Sequence, residues 1–158
     1  MKNKALSFYF AFILFVGTYL LDPLNCISQE TVPISWQFSS NKKGEDSFEI
    51  HLKATVKKPW HTYSQTTPEG GPVPTKIIFD KNPLVVPSGP SLEKGDLKIV
   101  HDPVFEVDVK YFEGNVDFVQ IVRKKGNAKT SIRGTVEFMV CNNEQCLPPK
   151  TIAFNIQL

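Results

Sequence analysis

The sequence predicts an all-β chain folded as a sandwich of antiparallel sheets. Three observations carry that expectation. Apolar residues alternate with polar ones along several short segments, as strands with one buried face require. Clusters rich in Gly, Pro, Asn and Asp interrupt these segments roughly every ten residues, which gives about eight strands. No segment shows the apolar spacing of a long amphipathic helix.

The elements follow in chain order. The chain opens MKNKALSFYFAFILFVGTYLLDPLNCISQE, with Lys2 and Lys4 ahead of an apolar run from Leu6 to Leu21. That is the anatomy of a secretory signal. Cleavage after Ser28, with Cys26 and Ser28 as the small residues of the site, makes residues 1–28 a signal peptide and 29–158 the mature domain. Two other readings compete. A lipid anchor on Cys26 wants a small residue before it, where Asn25 and Pro23 fit poorly, and an uncleaved anchor needs ~20 apolar residues to span. The cleaved chain is long enough for one domain with one core and does not span a membrane. The expected location is the periplasm, outside the reducing cytosol.

Ile34, Trp36 and Phe38 begin the alternation, and NKKGED closes it with a turn. Phe48, Ile50, Leu52, Ala54 and Val56 give the clearest strand, with Glu49, His51, Lys53 and Thr55 on its solvent face. An irregular stretch, KKPWHTYSQTTPEGGPVPT, runs from Lys57 to Thr75. Its prolines and glycines oppose regular pairing. It is either a plug over one end of the sandwich, with Trp60 in the core, or a functional loop. DKNP and PSGPSLEKGD read as turns, Phe105, Val107, Val109 and Tyr111 as a strand, and FEGN and KKGNAK as further turns. GTVEFMV and KTIAFNIQL are the last two strands, the second placing Ile152, Phe154, Ile156 and Leu158 on one face.

Lys and Arg number 18 against 16 Asp and Glu, a formal charge of +2. That balance opposes a nucleic-acid partner, which calls for a basic stripe. The cysteines are more informative. Export leaves Cys141 and Cys146, in VCNNEQCLPPK, with only each other to pair with in an oxidising compartment. They stand on the shoulders of a hairpin loop, NNEQ, where a disulfide is geometrically plausible. A ring of six residues gains only about 2 kcal/mol from such a tie, so the pair is poorly placed to act as a staple alone. Pro148 and Pro149 lack an N–H and keep the chain beyond Cys146 out of a ladder, leaving room for a partner's sulfur. A small structural disulfide remains open on spacing alone. Zinc does not fit: two cysteines are half a tetrahedral set, and His51, His61 and His101 are scattered. No metal and no cofactor are expected.

These segments resemble the N-terminal periplasmic domain of DsbD, a transmembrane thiol–disulfide reductase. The resemblance rests on PWHTYSQTTPEGGPVPT, HDPVFEVDVKYF and VCNNEQCLPP, and spans most of the mature chain. It implies an immunoglobulin-like sandwich that takes electrons from a thioredoxin-like domain. It implies acceptors of the thioredoxin fold in the periplasm, of the disulfide-isomerase or cytochrome-maturation type. Cys146 matches the cysteine that forms the mixed disulfide, and Cys141 the one that resolves it. HDPVF matches a cap loop, with Phe105 as the shielding ring and Asp102 as an acidic neighbour. Tyr63 matches an aromatic residue near the sulfurs, and His61 stands where better-known members carry a tyrosine. The loop between the cysteines is one residue shorter than in those members. Neither a membrane domain nor a thioredoxin-like domain accompanies these residues, so a separate protein is expected as electron donor. The competing expectation is a secreted immunoglobulin-like binding module whose hairpin disulfide is purely structural.

Overall fold

The computed structural model describes residues 32–103 and 106–158. Within them ten strands form two sheets in which every pairing is antiparallel, an immunoglobulin-like sandwich. The larger sheet runs β1 (Ile34–Lys42), β2 (Ser47–Val56), β7 (Val107–Lys124), β3 (His61–Tyr63) and β9 (Val140–Cys141). Strands β5 (Val85–Pro87) and β6 (Leu92–Asp102) also pair with β7. The smaller sheet is β10 (Lys150–Gln157), β8 (Ser131–Phe138) and β4 (Lys76–Phe79). The signal-peptide residues lie outside the described residues. Among the described residues no helix is long and apolar enough to cross a membrane.

The alternation that predicts β2 has its physical cause in the core. Phe48, Ile50, Leu52, Ala54 and Val56 are all buried against residues of both sheets. Aromatic rings bridge the layers: the Trp36 ring centroid lies 5.4 Å from that of Phe138 and the Phe38 centroid 5.4 Å from that of Phe154, while Phe118 of the same sheet stacks 5.8 Å from Trp36. Each such side chain contributes about 1.5–3 kcal/mol by leaving water. Within the smaller sheet, Gly134 of β8 is packed so tightly between its neighbours β4 and β10 that a Cβ would collide with the Ile78 carbonyl and sit 2.7 Å from the Phe154 ring.

Several expectations need correction. FEGN is not a turn: β7 runs straight through it. Gly114 takes φ +73°, and opposite it the β6–β7 register shifts between Gly95 and Leu97. Such an irregularity bends a strand without ending it. LEKGD, likewise expected in a turn, belongs to β6. The stretch from Lys57 to Thr75 is not wholly irregular either, because His61, Thr62 and Tyr63 pair with β7, and His61 and Thr62 pair with β9 on the other side. Trp60 packs against the core, as the plug reading has it. His51 lies opposite the apolar face of β2, yet it is only 8% exposed. Neighbouring strands cover it: Nδ1 lies 2.8 Å from the Asp117 carboxylate and Nε2 lies 3.1 Å from the Asn41 amide nitrogen.

The cysteine hairpin also differs in detail. Strands β8 and β10 pair from Phe138 with Lys150 onward, as expected of the last two strands. Between them, however, the chain leaves the smaller sheet, and Val140 and Cys141 join the edge of the larger one beside β3. The cysteines therefore belong to a separate excursion that crosses from one layer to the other.

Candidate functional site

Residues paired across an antiparallel ladder project to the same face, and neighbours along a strand project to opposite faces. In this corner of the larger sheet, Thr62, Phe112 and Val140 are buried inward. The alternate residues form the outer face. One row crosses the strands as Cys141, His61 and Glu113. The next contains Tyr63, Tyr111 and Lys98. Cys141 packs in a small apolar cluster with Tyr63 and Val109, bordered by Val107, Tyr111 and Met139.

Cys141 and Cys146 are joined by a disulfide, S–S 2.03 Å, across facing positions with Cα atoms 4.0 Å apart. Their surroundings differ. Cys141 is 2% exposed, whereas Cys146 is exposed. The tip between them is held by Asn142, whose side-chain oxygen accepts hydrogen bonds from the Glu144 and Gln145 amides, each 2.8 Å. The Asn142 amide in turn donates to the Gln145 carbonyl, 2.9 Å. Such side-chain capping of a turn is what Asn does well. Beyond Cys146, the Leu147 amide donates to the Val140 carbonyl, 2.9 Å, and its side chain enters the main core. Pro148 and Pro149 follow, exposed and outside any strand. On the other flank the Thr62 hydroxyl donates to the Met139 carbonyl, 3.0 Å, tying β3 to the crossing point. Thr62, Asn142 and Leu147 position the pair without having been singled out. An Asn directly after a cysteine in a short turn was the readable signal; the other two depend on tertiary contacts.

Burial and charge tune the aromatic groups beside the cysteines. Tyr63 has its hydroxyl pushed up to about 12 by burial, reinforced by the negative charge of Asp102 and by Tyr111. It therefore stays protonated at physiological pH. His61 is pushed below its usual range by burial, with Glu113 opposing. Its Nε2 lies 3.1 Å from the Tyr63 hydroxyl, and its ring packs 4.7 Å from that of Tyr111. Glu113 is held as a carboxylate by Lys98, 2.6 Å away.

The expected site residues thus fall into three groups. Cys141, His61 and Tyr63 share one outer face, with Cys146 bonded at its edge. Asp102 ends β6 opposite Val107, near enough for its charge to act on Tyr63. Its carbonyl accepts the Glu106 amide, 2.8 Å, where the β6–β7 connection turns back and Glu106 adopts φ +56°. Phe105, the expected shielding ring, lies outside the described residues. Among the described residues no three His, Cys, Asp or Glu side chains gather into a metal-holding group.

The family model described as "Thiol:disulfide interchange protein DsbD, N-terminal" matches residues 29–158. The chain belongs to the DsbD N-terminal domain family. Among curated proteins none matches this sequence. Among solved structures, the DsbD-type fold recurs in the crystal structure of the N-terminal periplasmic domain of ScsB from Proteus mirabilis, with a TM-score of 0.51. Identity is 16%, and the alignment covers 77% of this chain and 44% of that one. At that identity the likeness speaks to the fold, and this chain spans less than half the length of the matched one.

Proposed function

We propose that this DsbD-family chain is a thiol–disulfide exchange protein that relays reducing equivalents between thioredoxin-fold partners through Cys141 and Cys146. The observation that carries the reading is the unequal exposure of one disulfide: Cys146 faces solvent while Cys141 is buried. An exchange pair needs one sulfur that a partner can reach and a second held where only the first is within range.

In the reduced protein, the Cys146 thiolate attacks an oxidised partner's disulfide. One partner sulfur leaves as a thiolate, and a mixed disulfide forms. The Cys141 thiol then loses its proton and attacks Cys146 Sγ. The second partner sulfur leaves, the Cys141–Cys146 bond forms, and the partner has gained two electrons and takes up two protons as its dithiol. A reduced donor runs the same steps in reverse. Holding the two sulfurs on facing positions makes the resolving step effectively unimolecular. Phe105 and Asp102 act in this reading as the cap that limits which oxidants reach the pair. Residues 1–28 serve as a cleaved signal that delivers the domain to the periplasm. The acceptor is of the disulfide-isomerase or cytochrome-maturation kind.

The test is a trap. With Cys141→Ser the mixed disulfide cannot be resolved, and a covalent complex with a thioredoxin-fold protein should accumulate on non-reducing gels. No such complex, together with a reduction potential well below about −300 mV, would mark a structural bond and leave only a binding module.

A further inference from the structure

We propose that His61 is the proton acceptor that activates the Cys141 thiol in the resolving step. The proposal rests on the exchange function above and assigns it a residue. His61 stands directly opposite Cys141 in the β3–β9 register. Facing residues of such a pair have Cβ atoms about 4.5–5.5 Å apart, so both side chains share one small patch of the outer face. Cys141 is in particular need of a base. It is 2% exposed among Tyr63, Val109 and Met139, and a thiol in apolar surroundings resists ionisation and has little water to take its proton.

The other titratable groups facing this patch are poor substitutes. On β3, Tyr63 keeps its proton. On β7, Glu113 is tied to Lys98 of β6, and Tyr111 is a phenol packed on the imidazole. Lys58, ahead of β3, acts on Glu113. Asp102, at the end of β6, acts on Tyr63. Burial keeps the His61 imidazole neutral at pH 7, the form able to accept. The proposal assigns the tautomer in which Nε2–H donates to the Tyr63 oxygen, 3.1 Å away, so that Nδ1 carries the free lone pair. The proton passes from Cys141 Sγ to Nδ1, the Cys141 thiolate attacks Cys146 Sγ, and the departing partner sulfur takes the electron pair. The imidazolium then returns its proton to that thiolate or to water.

The experiment uses reduced full-length mature protein and 5,5′-dithiobis(2-nitrobenzoate) in stopped flow. The first thionitrobenzoate released reports attack by Cys146 and scales with reagent concentration. The second reports resolution by Cys141 and does not. For the wild type, the second rate should rise as His61 loses its proton below about pH 6.5 and then level off. His61→Phe retains a ring against Tyr111, and His61→Gln retains a polar group. Both should lower the second rate on the order of a hundredfold at pH 7 and replace the plateau with a tenfold rise per pH unit. The first phase should persist in both. A plateau of unchanged height in either folded variant would overturn the assignment of His61 while leaving the relay intact. Absence of the second phase in the wild type would instead refute the exchange function itself.

Discussion

Strand β7 serves two ends of the molecule in different ways. Its C-terminal half, from Asn115 onward, pairs with β2 and sends Val116, Phe118 and Val122 into the main core between the sheets. Its N-terminal half, before the bend at Gly114, pairs with β3 and presents Val109 and Tyr111 to the opposite face, where Cys141 lies. One half is sealed by a second layer. The other uses the outside of the same sheet, where a few aromatic residues give partial cover. The contrast shows how a sandwich places a disulfide on its outer face without opening its core: inward residues of the ladder hold the fold, and outward residues of the same strands surround the cysteine pair.

The strongest way to probe this division is to remove a ring from the sealed half. Phe118→Ala, at a fully buried position in contact range of Trp36 and Phe112, should cost about 3–5 kcal/mol in urea denaturation. A loss below about 1 kcal/mol would mean the core does not depend on this half of β7. A smaller effect is expected from replacing both cysteines with alanine, about 2 kcal/mol for so short a ring, with the cooperative transition kept. Collapse of the transition would show that the outer patch is needed for folding and would break the comparison.

The smallest effect is a pH dependence. Because the folded pKa of His61 lies below its unfolded value, the unfolded chain binds more protons as pH falls. The stabilisation is complete above about pH 6.5 and is lost as pH drops through the folded value. The His61→Phe variant should lack this component of the acid limb when the two stability–pH curves are compared.

How much of this was legible in the sequence varies with the range of the forces involved. The β2 alternation is local, and every apolar position read from it is buried. The cysteine pair, its closure and the unladdered prolines were legible for the same reason: a short ring and the missing N–H of proline act within a few residues. FEGN misled because a glycine at positive φ looks alike whether the chain reverses or merely bends; the partner strand decides, and it is distant in sequence. Strand β3 was hidden because three residues are too few for a period, and its pairing with β7 and β9 supplies what its own composition lacks. The change of layer after Phe138 was invisible for a similar reason. It is set by Thr62 binding the Met139 carbonyl and by Leu147 entering the core, contacts that no window of neighbouring residues contains. His51 looked solvent-facing because its covering, Asn41 and Asp117, comes from adjacent strands.

Leu147 has one further implication. It is rooted in the interior immediately after Cys146, while Val140 is rooted there immediately before Cys141. Each sulfur hangs one residue away from a fixed anchor, so breaking the bond between them frees only the short tip they enclose. In the proposed relay an electron pair would come and go with the frame at rest, like a buckle whose two halves are sewn to the same unyielding strap.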